Sequence, residues 1–326
     1  NQIEFDKFEN NKKFNPDKIN FYSNQSSNKI CDLNISAFNS ENCKYTTLKR
    51  SDLVNFLKKN INDLIKTNHC ISKIDQENKE IKLTFENNKT FECDHLIISD
   101  GVFSKSKYLI SKNQTQPRYN NTLAIRGMIL GSSKFIDNKN ISLFLGSDFH
   151  YVTYPVNPNG DLNSIAIMKY KLSQKEQKNF SLFNDDNFIK RILDNIPSGM
   201  KEFFREIKEF KIFPVFVSKN FYKTKNNNIH FIGDAFFAFS PSFAQGASQS
   251  IEGAYELFKS IENNTESDFF KKRVSKTKMV NSRSKLNQFA FHLSSPLTRF
   301  FRNIFLKRLV KNKKFLESYL GKIYKN

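Results

Sequence analysis

The sequence predicts a mixed α/β (α+β) fold, with a strand-rich stretch inserted into an α/β framework and a helical C-terminal region. Three observations lead there. Two short apolar runs end in paired acid and glycine, "LIISDG" at 96–101 and "IHFIGD" at 229–234. Between them, residues 117–221 hold a succession of strand-like runs. Just after the second run a helical pattern starts at Gln245 and continues to about 262.

With 326 residues the chain can bury a sizeable core, as one large domain or two smaller ones. Phe is abundant (35) and Trp absent, as a biased coding composition would leave them. A net charge of +20 raises nucleic acid or membrane as partners. The lysines are scattered, however, and no RNP-like, zinc-finger or helix-turn-helix pattern accompanies them, so no nucleic-acid partner is expected. No run approaches the roughly 18 apolar residues of a membrane span. Cys31, Cys43, Cys70 and Cys93 form no C-x-x-C pair, which fits reduced thiols in a cytoplasmic protein. The five histidines are dispersed, and no metal site is expected.

The elements follow in order. Residues 1–48 offer short strand-like runs broken by Asn and Ser, and the opening "NQIEFDKFENNKKF" reads as the middle of a strand-rich region. An N-terminal segment is therefore expected upstream of residue 1. Leu53, Phe56, Leu57, Ile61 and Leu64 mark a helical face, with Ser51 as its N-cap. Strands are expected in "HCISKIDQ", "EIKLTFEN" and "FECDHLIISDG", the last two joined by a hairpin at Asn87-Asn88-Lys89. Further strands are "NTLAIRGMIL", "ISLFLGSDFHYVTYPV" and "LNSIAIMKY", interrupted by a polar helix at 174–194 and another near 199–209. Leu96-Ile97-Ile98 and Ile229-Phe231-Ile232 read as buried strands, and Ile251, Ala254, Tyr255 and Phe258 as the apolar face of the helix that follows. A basic helical tail closes the chain.

The two acid-glycine pairs carry the chemistry. Ligands of open α/β sheets bind at the carboxyl ends of strands. Glycine lets a ligand approach the backbone, and a carboxylate accepts hydrogen bonds from sugar-like hydroxyls. The first N–H groups of a helix lack partners, and its dipole stabilises negative charge there by roughly 0.3–1 kcal/mol, up to about 2 when partly buried. The plain alternative is a strand–loop–helix unit with an incidental Gly-Asp. Asp100-Gly101 alone is a common turn pair; two such strand ends in one chain are more specific.

On these residues the chain resembles the FAD-dependent aromatic hydroxylases, single-component flavoprotein monooxygenases of the salicylate hydroxylase and ubiquinone-biosynthesis hydroxylase type. "ISDGVFSKSK", with Ser104 and Lys107, resembles the family's Asp-Gly motif, and "IGDAFFAFSPSFAQGASQSIEGA" its Gly-Asp flavin motif. "LKRSDL", "LAIRGMI", "HYVTYPVNPNGDLNSIAI", "FPVFVSKNF" and "FHLSSPLTRFFRN" match further segments in family order. The resemblance implies a Rossmann-like FAD-binding domain at 1–116 and 222–295, lacking its first βαβ unit. It also implies an inserted substrate-covering β-sheet domain at 117–221 and a basic helical tail at 296–326. Arg50, Asp100, Gly101, Gly233 and Asp234 would bind FAD, Asp234 at the ribityl chain. Pro241 would lie beside the isoalloxazine, and Ala244, Gln245, Gly246 and Ala247 at its pyrimidine end.

The implied reaction is hydroxylation of a phenolic or quinone-precursor ring by O2, with NADH or NADPH reducing FAD and a flavin C4a-hydroperoxide as oxidant. His150 is the candidate base, or a structural histidine. Arg126 orients an acidic substrate or pairs with a carboxylate, and Tyr154 lines the pocket or sits in the core. The departures are Phe237 for a usual His, Gly253 for an acid, Lys107 for Arg and Ser99 for Ala. No G-x-G-x-x-G is present to hold the ADP half, so the chain as written is expected to bind FAD weakly. The tail carries nine Lys/Arg and one Glu among its apolar residues. It would either lie on the inner face of an anionic membrane or pack on the FAD domain. Other readings left open are an isoprenoid-reductase type of flavin oxidoreductase, and a non-catalytic flavoprotein or basic membrane-surface protein.

Overall fold

Strands dominate the first two-thirds of the chain and helices the last third. The structure, a computed structural model, describes residues 5–324 apart from 26, 42–43, 60, 78–79, 112–115 and 226. The two-residue strands β1 (Lys13–Phe14) and β4 (Thr47–Leu48) bracket β2 (Lys18–Ser23) and β3 (Lys29–Asn34). Next come α1 (Arg50–Lys58), β5 (Ile71–Glu77), β6 (Glu80–Phe85), β7 (Thr90–Cys93), β8 (Leu96–Ile98) and α2 (Lys105–Ser111). A run of strands follows: β9 (Arg118–Ile129), β10 (Ile141–Leu145), β11 (Phe149–Pro155) and β12 (Leu162–Lys169). The short helices α3 (Gln174–Lys178), α4 (Asp186–Asp194) and α5 (Lys201–Arg205) lead to β13 (Lys208–Val217) and β14 (Ile229–Phe231). Helices α6 (Gly233–Phe237), α7 (Gly246–Glu262), α8 (Glu266–Phe291), α9 (Pro296–Leu309), α10 (Lys313–Leu316) and α11 (Lys322–Tyr324) complete the order.

The chain divides into two units, one of residues 1–62, 121–214 and 289–326, the other of 63–120 and 215–288. The first is built on a seven-stranded sheet in the order β13-β9-β12-β11-β10-β2-β3. Alternation along β11 sends Phe149 and Tyr151 to one face, where Tyr151 meets Phe204 at 5.3 Å and Phe144 meets Phe203 at 5.0 Å between ring centres. This aromatic layer covers that side of the sheet with the short helices. Residues 18–34, assigned by sequence to the flavin domain, supply β2 and β3 of this sheet. β2 pairs in parallel with β10, Ile19 opposite Ile141, and Phe21, Ile30 and Leu33 are buried there.

The second unit joins a three-stranded antiparallel sheet, β5-β6-β7, to a parallel pair, β14-β8. The expected hairpin turns at Asn88, whose φ of 62° is a left-handed value that Asn tolerates. Ile81 and Leu83 of β6 pack with Leu96, Ile98, Ile229, Phe231, Phe236 and Phe237 in one apolar cluster. On the helical side, α7 and α8 meet through a charged side chain. The buried Arg273 donates to the Gln249 carbonyl and to Gln249 Oε1, both at 2.7 Å, and pairs with Glu256 at 3.1 Å and Glu252 at 3.4 Å. A Cβ on Gly253 would lie 3.1 Å from Arg273 Nε, so glycine makes room for the guanidinium.

Several expectations are corrected. Ser51 is not the N-cap of α1: Lys49 is, its carbonyl accepting from the amides of Asp52 and Leu53 while its ammonium pairs with Asp161 at 3.2 Å. The helix at 174–194 is broken, because Ser173 caps α3 and Asp185 caps α4 as separate starts around a 3-10 turn. The helix near 199–209 stops at Arg205, since Lys208 onward joins the sheet as β13. Of the strand 96–98 only Leu96 and Ile98 are buried; Ile97, on the other face of the pleat, is exposed. Ile251, Ala254, Tyr255 and Phe258 are all exposed, while Gln249, Gly253 and Leu257 face inward. The 26-residue α8 was not anticipated by the hydropathy pattern.

Replacing Arg273 by Ala leaves the part-buried Glu252 with Lys276, at 3.2 Å, as its remaining cation, and takes the donor from the buried Gln249 carbonyl. A loss of about 3 kcal/mol is expected, the low end for breaking a buried charged pair because Glu256 is part-exposed. It would be read as a lower urea midpoint, and Arg273→Lys, without the forked donor set, would recover only part of it.

Candidate functional site

Parallel pairing sets the register Ile229↔Leu96, His230↔Ile97 and Phe231↔Ile98, and the Ile232 amide extends it by donating to the Ile98 carbonyl at 3.0 Å. The carboxyl ends of β8 and β14 are therefore level, and Asp100-Gly101 emerges beside Gly233-Asp234. Gly101 and Gly233 both take left-handed backbone, φ 86° and 57°, which turns each chain sharply out of its strand. A Cβ on Gly101 would have nothing within 4 Å, so the space above that turn is open.

Asp100 also helps to start α2. Its carboxylate accepts from the Ser106 amide at 3.0 Å, while Ser104 Oγ accepts from the Lys107 amide at 3.0 Å, so two of the helix's first donors are satisfied. Lys107 does not reach outward in place of an arginine. It is buried, with Nζ 5.5 Å from the centre of the Phe231 ring, and burial holds its pKa below the ordinary lysine value. Ser99 is exposed.

The loop from Phe239 to Gln245 is fixed from behind by α8. Ser284 Oγ donates to the Ser240 carbonyl, and Asn287 Nδ2 to the Ser242 carbonyl at 3.2 Å. Pro241 opens a 3-10 turn closed by the Ala244 amide at 2.9 Å, and Ala244 itself is left-handed, φ 51°. This kink delivers the chain to α7, which begins at Gly246 with no side-chain cap. Ala244, Gly246 and Ala247 are exposed there, Gln245 is buried, and a Cβ on Gly246 would meet nothing within 4 Å. Gly233, Asp234, Gly246 and Ser250 line one cleft of about 320 Å³ counting its open mouth, with Arg273 and Thr277 buried beneath. Phe237 lines the same cleft and belongs to the apolar cluster behind it, stacked on Phe221 at 4.4 Å.

Arg50, Arg126, Tyr154 and His150 belong to the other unit. The register of β9, β12 and β11 places Arg126 in the row of Ile165 and Val152, and alternation puts Tyr154 and His150 on that same sheet face. Tyr154 is one row from Val152 and His150 one row the other way, about 7 Å each. Arg126 has an exposed side, but enough protein surrounds its guanidinium to hold its pKa below the ordinary value. Tyr154 opposes that shift, and the like charge of Arg50 adds to it. Burial raises the Tyr154 phenol, and Arg126 draws it partly back. Arg126 also lies over Phe213 at 5.8 Å. Among the described residues neither Arg50 nor Arg126 has a carboxylate in ion-pair contact.

His150 is buried, with Nδ1 2.8 Å from His292 Nε2. Burial first, and then the neighbouring imidazole, hold His150 well below its ordinary pKa. Burial likewise takes His292 down to about 4. Each is thus neutral at pH 7, one donating and the other accepting.

Sequence reasoning missed Ser284, Asn287, Arg273 and His292, the residues on or just past α8 that hold the loop, the helix pair and His150. α8 scatters its apolar residues round the helix, Phe269 and Val280 inward but Leu286 and Phe289 outward, so it shows no apolar stripe; the one legible signal was a stretch from 266 to 291 without Gly or Pro. Among the described residues no group of three or more His, Cys, Asp or Glu could hold a metal ion, and no helix is long and apolar enough to cross a membrane. Cys31, Cys70 and Cys93 are free thiols, and Cys43 lies outside the described residues.

No protein-family model matches the chain. It is 25% identical over 217 residues to a salicylate hydroxylase of Pseudomonas putida, covering 57% of this chain and 47% of that protein. It is 26% identical over 223 residues to a flavin-dependent monooxygenase from an unknown prokaryotic organism, covering 64% and 54%. The chain thus spans about half the length of the curated relatives it matches. Among solved structures, Klebsiella pneumoniae HpxO complexed with FAD and uric acid superposes with a TM-score of 0.78 at 12% identity, covering 95% of this chain and 80% of that one. A salicylate hydroxylase substrate complex gives 0.76 at 18%, covering 98% and 83%. The fold is that of these flavin-dependent monooxygenases, and the resemblance to the aromatic hydroxylases is borne out.

The histidine pair makes stability pH-dependent with a definite sign. Because both folded-state values are depressed, its contribution is complete above about 6.5 and is lost as pH falls toward about 4. His292 alone accounts for up to about 3 kcal/mol over that window. Urea midpoints of the wild type should fall between those pH values, and those of His292→Gln should fall less; parallel profiles would rule the pair out as the cause.

Proposed function

We propose that the chain is part of an FAD-dependent monooxygenase that hydroxylates a small aromatic ring, with NAD(P)H as reductant and O2 as co-substrate. The observation that carries this is the level pairing of β8 and β14, which sets Asp100-Gly101 beside Gly233-Asp234, with Asp234 and the uncapped start of α7 lining one cleft. The residues present fit a flavin. The positions where Gly101 and Gly246 would carry a Cβ are open, Asp234 is exposed at the strand end, and the first amides of α7 offer donors and a favourable dipole to an anion.

In this reading Asp234 holds the ribityl chain, Asp100 and Gly101 flank it, Pro241 lies beside the ring system, and the backbone of Ala244, Gln245, Gly246 and Ala247 faces its pyrimidine end. Arg50 is the further FAD contact. The flavin is assigned to the unit of 63–120 and 215–288, and the aromatic substrate to the sheet face of Arg126, Tyr154 and His150. FAD, once reduced, would supply activated oxygen to the ring. The protein's own work is placement and exclusion of water. Arg126 pairs with an acidic group of the substrate and Tyr154 lines the ring's site. His150, kept neutral by burial and held by His292, is the candidate hydrogen-bond acceptor for the phenol.

The test is spectroscopic. With FAD added, the chain should show a flavin absorption band that bleaches with NADH and recovers under air, faster with a phenolic acid present. Recovery indifferent to phenols would favour a related oxidoreductase. Asp234→Ala should weaken FAD binding at least tenfold in a fluorescence titration. Arg126→Gln should leave flavin binding intact and raise KM for a carboxylated phenol by roughly tenfold or more, the scale of one charge-assisted hydrogen bond.

A further inference from the structure

Helix α9 turns its apolar side outward. Leu297, Phe300, Phe301 and Phe305, at spacings of three, four and eight from the first, occupy one face and are 66%, 60%, 49% and 60% exposed. Three phenylalanines and a leucine within nine residues form a surface that soluble helices seldom leave open. The surrounding charge has one sign: Arg299, Lys307, Arg308, Lys311, Lys313 and Lys314 against Glu317 alone between 296 and 324.

The charge is not neutralised from inside either. Arg302 is buried on the opposite side of α9, its Nε and Nη2 spent on Asn303 Oδ1 at 3.1 and 3.0 Å and its Nη1 without an acceptor. Arg299 Nε also lacks one. Burial first, and Arg299 second, pull the Arg302 pKa to about 10, which leaves it charged at neutral pH. Among the described residues no carboxylate forms an ion pair with either arginine.

From this juxtaposition of an exposed aromatic face with uncompensated cations, we infer that α9 docks flat on an anionic lipid bilayer, its phenylalanines at the acyl boundary and its basic residues among the headgroups. Charge decides the occupant. A second copy of this chain would bring two strongly basic tails together on a protein of net charge +20, whereas an anionic surface matches both features. The helix is 14 residues long, too short to span, so the contact is interfacial. This inference is independent of the flavin reading.

Co-sedimentation with vesicles tests it. The chain should sediment with phosphatidylcholine vesicles containing phosphatidylglycerol, and at least tenfold more weakly with phosphatidylcholine alone or in about 0.5 M salt, where charges are screened within a few ångströms. The triple variant Phe300→Ser, Phe301→Ser, Phe305→Ser, checked for folding by circular dichroism, should lose binding at least tenfold. Lys271→Gln with Lys272→Gln, exposed cations on α8, should retain it. Equal binding to both vesicle types, no effect of the triple variant, or an equal loss from the α8 variant would overturn the inference. So would lipid-free self-association that the triple variant abolishes, because a second copy would then occupy the face.

Discussion

The candidate site depends on one pairing: three residues of β8 against three of β14, parallel and in a single register. Leu96, Ile98, Ile229 and Phe231 all face the same apolar cluster, so a slip by one residue would send His230 or Ile97 into it. That penalty makes the register specific although the ladder is short. Because the strands end level, two turns about 130 residues apart in sequence present their acids and glycines side by side. The proposed flavin contacts of Asp100, Gly101, Gly233 and Asp234 follow from that alignment.

The helices behind the site invert the usual arrangement. An amphipathic helix normally buries its apolar stripe. α7 buries Gln249 and Gly253 and shows Ile251, Tyr255 and Phe258 to solvent. The reason is Arg273, whose planar fork meets a backbone carbonyl, an amide oxygen and two carboxylates spaced along one face of α7. A Cβ at position 253 would press within 3.1 Å of Arg273 Nε, so Gly253 lets the guanidinium cross without displacement. The same long helix α8 reaches the Pro241 loop with Ser284 and Asn287. One element therefore orients both the helix start and the kinked loop before it, which gives the candidate site a rigid back wall.

The sheet unit divides its faces by chemistry. One face is filled by the rings of Phe144, Phe149 and Tyr151 against those of Phe203 and Phe204. On the other, Arg126, Tyr154 and His150 occupy adjacent rows, and among the described residues neither Arg126 nor Arg50, whose charge it feels, has a carboxylate in ion-pair contact. A side chain such as Arg126 is costly to crowd beside Arg50 without an anion. The arrangement is therefore better suited to receiving an acidic group than to stabilising the fold, which is what the proposed role of Arg126 requires.

The sequence by itself determined the local features: strand ends at Asp100-Gly101 and Gly233-Asp234, the Asn88 hairpin, the strands from 118 to 169 and the start of α7. Their signals are short-range, namely glycine where the backbone turns left-handed, alternation within a strand, and a helical period after a kinked loop. It also carried the resemblance that named the cofactor and the residues proposed to hold it. What it misplaced depended on partners far along the chain. Ser51 looked like a cap until Lys49 was held by Asp161, the apolar positions of α7 looked internal until Arg273 claimed the other face, and residues 18–34 joined a sheet whose other strands begin a hundred residues later. His150 read as a lone histidine, and only the fold set His292 against it. Periodicity reports which residues share a face; the tertiary structure decides what that face meets, because a buried charge or a long-range strand partner outweighs local preference.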